Sequence, residues 1–169
     1  MTAQTLRNAA GLEAELLSHG ALRRLLLAPG LMLNLFPGNE LEGGPANVWL
    51  RRREAGRADW RAVPLLGPLS PLAVHAGDGA FEMRGEWEGL ALRLQLRLAA
   101  DEATLFWHLQ VESRSAPACE IAPVLVQDVG LADYGAVRTN EFYVSHYIDL
   151  QPLQDPRHGV LLAARQNQA

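Results

Sequence analysis

Between Leu90 and Leu98 every second residue is a leucine, with Ala91, Arg93, Gln95 and Arg97 in the gaps. A helix would scatter those leucines around its circumference. An extended strand puts all of them on one face and the polar set on the other. The segment before it alternates in the same way. Phe81, Met83 and Trp87 oppose Glu82, Arg84, Glu86 and Glu88, and Glu88-Gly89 supplies a tight hairpin turn. After a second turn at Ala100-Asp101-Glu102, Leu105, Trp107, Leu109 and Val111 alternate with Phe106, His108, Gln110 and Glu112. Turns this short join antiparallel neighbours, because a parallel pair needs a crossover of about a dozen residues or more.

The rest of the chain fits that meander. Leu12 to Leu17 and Ala21 to Leu27 flank a His19-Gly20 turn, and Leu31 to Phe36 and Val48 to Arg53 are further apolar runs. Ile121 to Leu131 reads as one long strand bulged near Gln127-Asp128. Tyr147 to Leu150 and Gly159 to Arg165 close the series. A helix over Gly11 to Leu27 is the competing reading of the start, but no stripe of period 3.6 crosses Gly20. At 169 residues the chain suits one sizeable core. The expectation is all-β: an antiparallel two-sheet sandwich over 1–169, with few or no long helices.

Charge and composition narrow the function classes. The formal net charge is -4, which does not suit a duplex nucleic-acid binder. Arg51-Arg52-Arg53, beside Glu54, reads as a solvated strand end. All basic residues other than histidine are arginines, whose planar forks suit carboxylate, phosphate or hydroxyl partners. The lone Cys119 cannot form an internal disulfide or a multi-cysteine metal site, and its apolar setting suits a buried thiol. Met1-Thr2-Ala3-Gln4 has no charged region leading into an apolar stretch, and no apolar run is long enough to span a membrane. The expectation is a cytoplasmic protein that engages neither membrane nor nucleic acid and uses no cofactor.

Two stretches carry chemistry beyond ordinary strands and turns. The stretch from Asn34 to Arg51 has a loop that combines Gly38, Gly43 and Gly44 with Asn39, Glu40, Glu42 and Asn47. Glycines let a backbone approach a ligand closely, and Asn and Glu offer the donors and acceptors that hydroxyls need. The same residues also suit a plain connection between strands. The run Arg138 to Asp149 gathers Arg138, Asn140, Glu141, Tyr143, His146, Tyr147 and Asp149. Aromatic faces can stack on sugar rings while amides and acids fix the hydroxyls. As a strand, the run would separate Tyr143, Ser145, Tyr147 and Asp149 from Phe142, Val144, His146 and Ile148, placing His146 on the buried face. No nucleophile elbow, phosphate loop or closely spaced pair of histidine ligands is present.

The stretch Gly20 to Arg53, with Asn-Leu-Phe, Gly-Asn-Glu and Glu-Gly-Gly-Pro-Ala-Asn, resembles the start of proteins related to glycoside hydrolase family 94. Thr139 to Asp149, followed by Gly159 to Gln168, is similar to a segment near the end of the same module. That group contains cellobiose and chitobiose phosphorylases and the phosphorylase-like part of cyclic β-1,2-glucan synthase. The resemblance implies a galactose-mutarotase-like β-supersandwich standing before an (α/α)6 barrel that carries the general acid of an inverting phosphorolysis. No barrel acid has a counterpart in this sequence, so no catalytic residue and no metal ligand is assigned to it.

On that basis the chain is expected to be an accessory domain of a phosphorylase- or glycosyltransferase-type enzyme and not catalytic alone. Its partners would be the (α/α)6 domain or a second subunit, with a β-glucan or disaccharide nearby. Arg138, Asn140, Glu141, Tyr143, His146 and Tyr147, then Glu40, Glu42 and Asn47, are the expected rim or interface residues. An exposed apolar patch should mark the docking face. Two other classes compete. One is an autonomous sugar epimerase, pairing His108 with Glu112 or Glu82 as acid and base. The other is a free-standing carbohydrate-binding module using Trp49, Trp60, Tyr143 or Tyr147 as platforms, with Trp107 in the core.

Overall fold

The computed structural model describes residues 4–75, 80–114 and 118–167; Met1 to Ala3 and Gln168, used in the sequence reading, lie outside them. The strands are β1 (Gln4–Arg7), β2 (Leu12–Leu16), β3 (Leu22–Leu27), β4 (Leu31–Met32), β5 (Asn47–Glu54), β6 (Arg61–Pro64) and β7 (Leu72–His75). There follow β8 (Phe81–Trp87), β9 (Leu90–Leu98), β10 (Leu105–Ser113), β11 (Cys119–Val126) and β12 (Ala132–Asp133). One helix, α1 (Tyr134–Ser145), precedes β13 (Ile148–Asp155) and β14 (Gly159–Gln166). The fold is all-β, and every strand pairing is antiparallel.

Among the described residues the strands of the expected antiparallel sandwich pair as four sheets: β1-β2-β3-β4-β12, β10-β9-β8-β7, β11-β5-β6, and the separate hairpin β13-β14. The first three share one buried cluster. Leu12, Ala14 and Leu16 of β2 meet Val48 and Leu50 of β5, Phe81 and Met83 of β8, and Leu90, Leu92, Leu94 and Leu96 of β9. Burying each large apolar side chain contributes about 1.5–3 kcal/mol, so the alternating meander is the backbone of the core. Trp107 is half-buried against it. A smaller cluster holds α1 to the first sheet through Met32, Leu35, Ala132, Val137 and Val144.

The turns follow the residues. Trp87 pairs with Leu90 across Glu88 and Gly89, both at positive φ (50° and 78°), the geometry that matches strand twist in a two-residue hairpin. At the β2–β3 turn, Gly20 has φ 83°, and a Cβ there would overlap the Met83 sulfur and lie 2.7 Å from its Cε. That turn therefore lies against the end of the Met83 side chain, at a positive φ that glycine takes without strain.

Three local readings are corrected. Arg138 to Ser145 is helical rather than extended. The strand from Ile121 does not reach Leu131; β11 ends at Val126, and Asp128 accepts hydrogen bonds from the Leu35 and Phe36 amides at 2.8 and 2.6 Å. The arginine run is not a solvated strand end either. Arg52 is buried and paired with Glu88 at 3.2 Å, while Arg51 and Arg53 both stack on Trp60 at 4.7 Å from the ring centroid. Glu88 compensates the buried guanidinium, as a charge removed from water requires.

Candidate functional site

The two stretches singled out in the sequence meet at Phe36-Pro37. On one side, Phe36 and Pro37 with Val137, Arg138 and Glu141 of α1 line a depression of about 260 Å³. On the other, the same two residues with Asn39, Glu42, Gly43, Gly44 and Pro45 line a second, of about 380 Å³. Buried Asn34 fixes this wall: its side-chain oxygen accepts from the Leu25 amide at 2.8 Å and its nitrogen donates to the Phe36 carbonyl at 3.0 Å. Together with Asp128 it satisfies a loop backbone that would otherwise cost free energy. Neither Asn34 nor Asp128 was among the expected site residues. A polar side chain inside an apolar run was the available signal.

The helical stretch is tied to the first sheet by charge. Glu15, buried, pairs with Arg23 at 2.9 Å and Arg24 at 2.6 Å. The guanidinium carbons of Arg24 and Arg138 both lie over the Tyr134 ring, 5.4 and 5.9 Å from its centroid. Arg138's hydrogen bond to the phenol oxygen, helped by Arg24, pulls the Tyr134 hydroxyl below its ordinary pKa. Asn140 breaks the helix with extended φ/ψ (-158°, 78°), and its side-chain oxygen accepts from the Tyr143 amide at 3.0 Å, capping the second half. Beyond it stand two edge-on aromatic pairs, Phe142 with His146 (4.5 Å) and Tyr143 with Tyr147 (5.0 Å), the two phenols hydrogen-bonded at 2.9 Å. His146 is exposed, not on a buried face.

The other expected residues divide. Glu42 lines the second depression, whereas Glu40 is held by the Ser18 hydroxyl (2.8 Å) and amide, which lower its pKa, with His19 at 3.6 Å. Asn47 clamps the Leu66 backbone through both side-chain atoms, at 3.0 and 3.1 Å, away from either depression. Of the aromatic platforms considered, Trp60 is occupied by two arginines, while Trp49 and Tyr143 are exposed.

The pairing of His108 with Glu82 fares worse on chemistry. Both lie on the outer face of the second sheet, in one cross-strand row with Gln95 between them. Hydrogen bonds from Arg93, Arg84 and Gln95 hold the Glu82 carboxyl at a pKa of about 2, overriding the cost of its burial. Such a group carries no proton to give at neutral pH and is a weak base. Among the described residues no cluster of His, Cys, Asp and Glu gathers to hold a metal, and no helix is long and apolar enough to cross a membrane.

Most unusual is the apolar surface left open. The inward face of β11 carries Ile121 and Leu125, aligned with Arg52 and Val48, yet both are exposed. Its other face adds Val124 and Val126 beside Trp49. In the hairpin, Leu150, Pro152, Val160 and Leu162 share one face; Val160 and Leu162 are 67% and 68% exposed. A two-stranded hairpin is at best marginal in water without a covering layer.

Residues 15–169 match the family described as SOGP N-terminal domain. The chain belongs to that family. A curated relative, the 1,2-beta-oligoglucan phosphorylase of Listeria innocua serovar 6a, is 29% identical over 141 residues, 82% of this chain but 12% of that protein. The chain therefore spans a small fraction of the relative's length. The expectation of an N-terminal domain related to glycoside hydrolase family 94 is met at this coarser level, under a different family name. As an SOGP N-terminal domain, the chain is a domain of the kind found in a carbohydrate-active enzyme.

Proposed function

We propose that this chain is the accessory front domain of an oligoglucan-phosphorylase-like enzyme, docking on the catalytic part and leaving bond cleavage to it. The observation that carries the reading is the set of exposed large apolar side chains on β11 and on the β13-β14 hairpin, the kind of surface that marks an interaction site. The similarity to a phosphorylase about eight times the aligned length supplies the partner class. Glu42, Arg138 and Glu141, around the Phe36-Pro37 wall, and Asn140, Tyr143, His146 and Tyr147 along α1 would then edge the interface or the active-site rim. Glu40 and Asn47 serve by holding the loop in shape.

The test is reconstitution. The chain, mixed with a separately produced catalytic portion of a phosphorylase from the same source, should form a complex seen by sedimentation and restore phosphorolysis of a β-linked oligoglucan. Persistent separation of the two at micromolar concentration, or glycoside turnover by the chain alone, would overturn the assignment.

A further inference from the structure

The outer face of the β7–β10 sheet has a built arrangement that docking does not use. Reading across the strands, one row is His75, Glu82, Gln95 and His108; the next is Ala73, Arg84, Arg93 and Gln110; the third is Glu86, Ala91 and Glu112; and Phe106 faces Arg97 at the other end. A solvated charged face would leave its carboxylates in water, yet Glu82 is only 5% exposed. Arg84 and Arg93 converge on it from two strands, Gln95 donates to the same carboxylate, and Arg93 continues to Gln110 at 3.3 Å. One anion thus orients two guanidiniums and an amide on a rigid sheet, so a ligand would find them already ordered.

A depression of about 800 Å³ adjoins this network at Arg84, Arg93 and Gln110, and Glu86, Glu112 and Arg114 also line it. Arg84, Arg93 and Arg114 are matched here by Glu82, Glu86 and Glu112, so the depression offers donors and acceptors in near-equal measure; Arg97, beside Phe106, adds a further positive charge at the far end. Phe106, 47% exposed, adds an apolar ring at the other end. From Phe106 to Glu112 the strand runs about 20 Å, long enough for several linked rings.

We propose that this face binds a neutral polyhydroxylated chain, an oligosaccharide laid along β10, with Phe106 as its platform and Arg84, Arg93 and Gln110 as its polar grip. The choice of a glucan as ligand rests on the phosphorylase-like reading; the site itself does not.

Amide spectra of the isotopically labelled full chain, titrated with linear β-1,2-linked glucooligosaccharides and separately with inorganic phosphate, test it. Sugar should shift residues of β8, β9 and β10, and phosphate should not. Phe106→Ala and Gln110→Ala should each weaken binding about five-fold or more with unchanged circular dichroism. Sugar shifts confined to α1 or the 36–45 loop, equal shifts with phosphate, or no shift with any glucan tried would overturn the proposal. A variant carrying Val160→Arg and Leu162→Arg should keep the sugar shifts, so failure of docking and failure of this site are read separately.

Discussion

Replacing Val160 and Leu162 with arginine separates a docking surface from a structural one. Both side chains are about two-thirds exposed, so the isolated domain gains little from them and its thermal midpoint should move by no more than about 2 °C. In a complex that covers the hairpin, each would contribute about 1–2 kcal/mol from the area still open to water. Two together amount to about 2–4 kcal/mol, before the cost of forcing two guanidiniums against an apolar surface. Affinity for the catalytic portion should therefore fall at least about 30-fold. Titration calorimetry measures that loss, and scanning calorimetry of the free domain supplies the control. Equal affinity for wild type and variant would refute the docking face. A fall in the free domain's midpoint by 5 °C or more would show that these residues already support the fold.

Three further perturbations address the scaffold. Gly20→Ala should destabilise the domain by about 2–4 kcal/mol in urea, since its Cβ meets Met83 at positive φ; a loss under 0.5 kcal/mol would contradict that packing. Glu82 is depressed from about 4.5 to about 2 by Arg93, Arg84 and Gln95, so its contribution is complete above pH 4.5 and lost as pH falls toward 2. Allowing for half-exposed arginines, that is about 1–2 kcal/mol, seen as a pH-dependent urea midpoint that Glu82→Gln should flatten. Asn140→Ala removes the internal cap of α1 and should cost about 1 kcal/mol, with amide exchange rising from Tyr143 to Ser145 while the meander stays protected.

The meander was legible because its side chains obey a rule with no competitor: five leucines at period two have one solution, and the register of β8, β9 and β10 follows from turns of fixed length. The α1 segment broke the same rule. Tyr143, Ser145 and Tyr147 alternate with Phe142, Val144 and His146, which imitates a strand, while the helix buries only Val137 and Val144, two turns apart. Asn140, expected at the rim or interface, is also the residue at which the helix kinks and restarts. Arg52 was misread for another reason. Its partner Glu88 lies 36 residues away in a hairpin turn, and no local window brings the two charges together.

The same contrast bears on function. Side chains whose partners are close in sequence or strongly periodic fold into a closed core around β2, β5, β8 and β9. Those left open, on β11 and β13-β14, are apolar like the core yet remain between 37% and 68% exposed. Folding free energy is a small remainder of large terms, so a hairpin that orders its backbone without burying its apolar face forgoes the gain that would offset that ordering. The deficit is made good only if another surface covers it. On the proposed reading that layer would come from the enzyme the domain serves, leaving the polar outer sheet around Glu82 open to a soluble ligand.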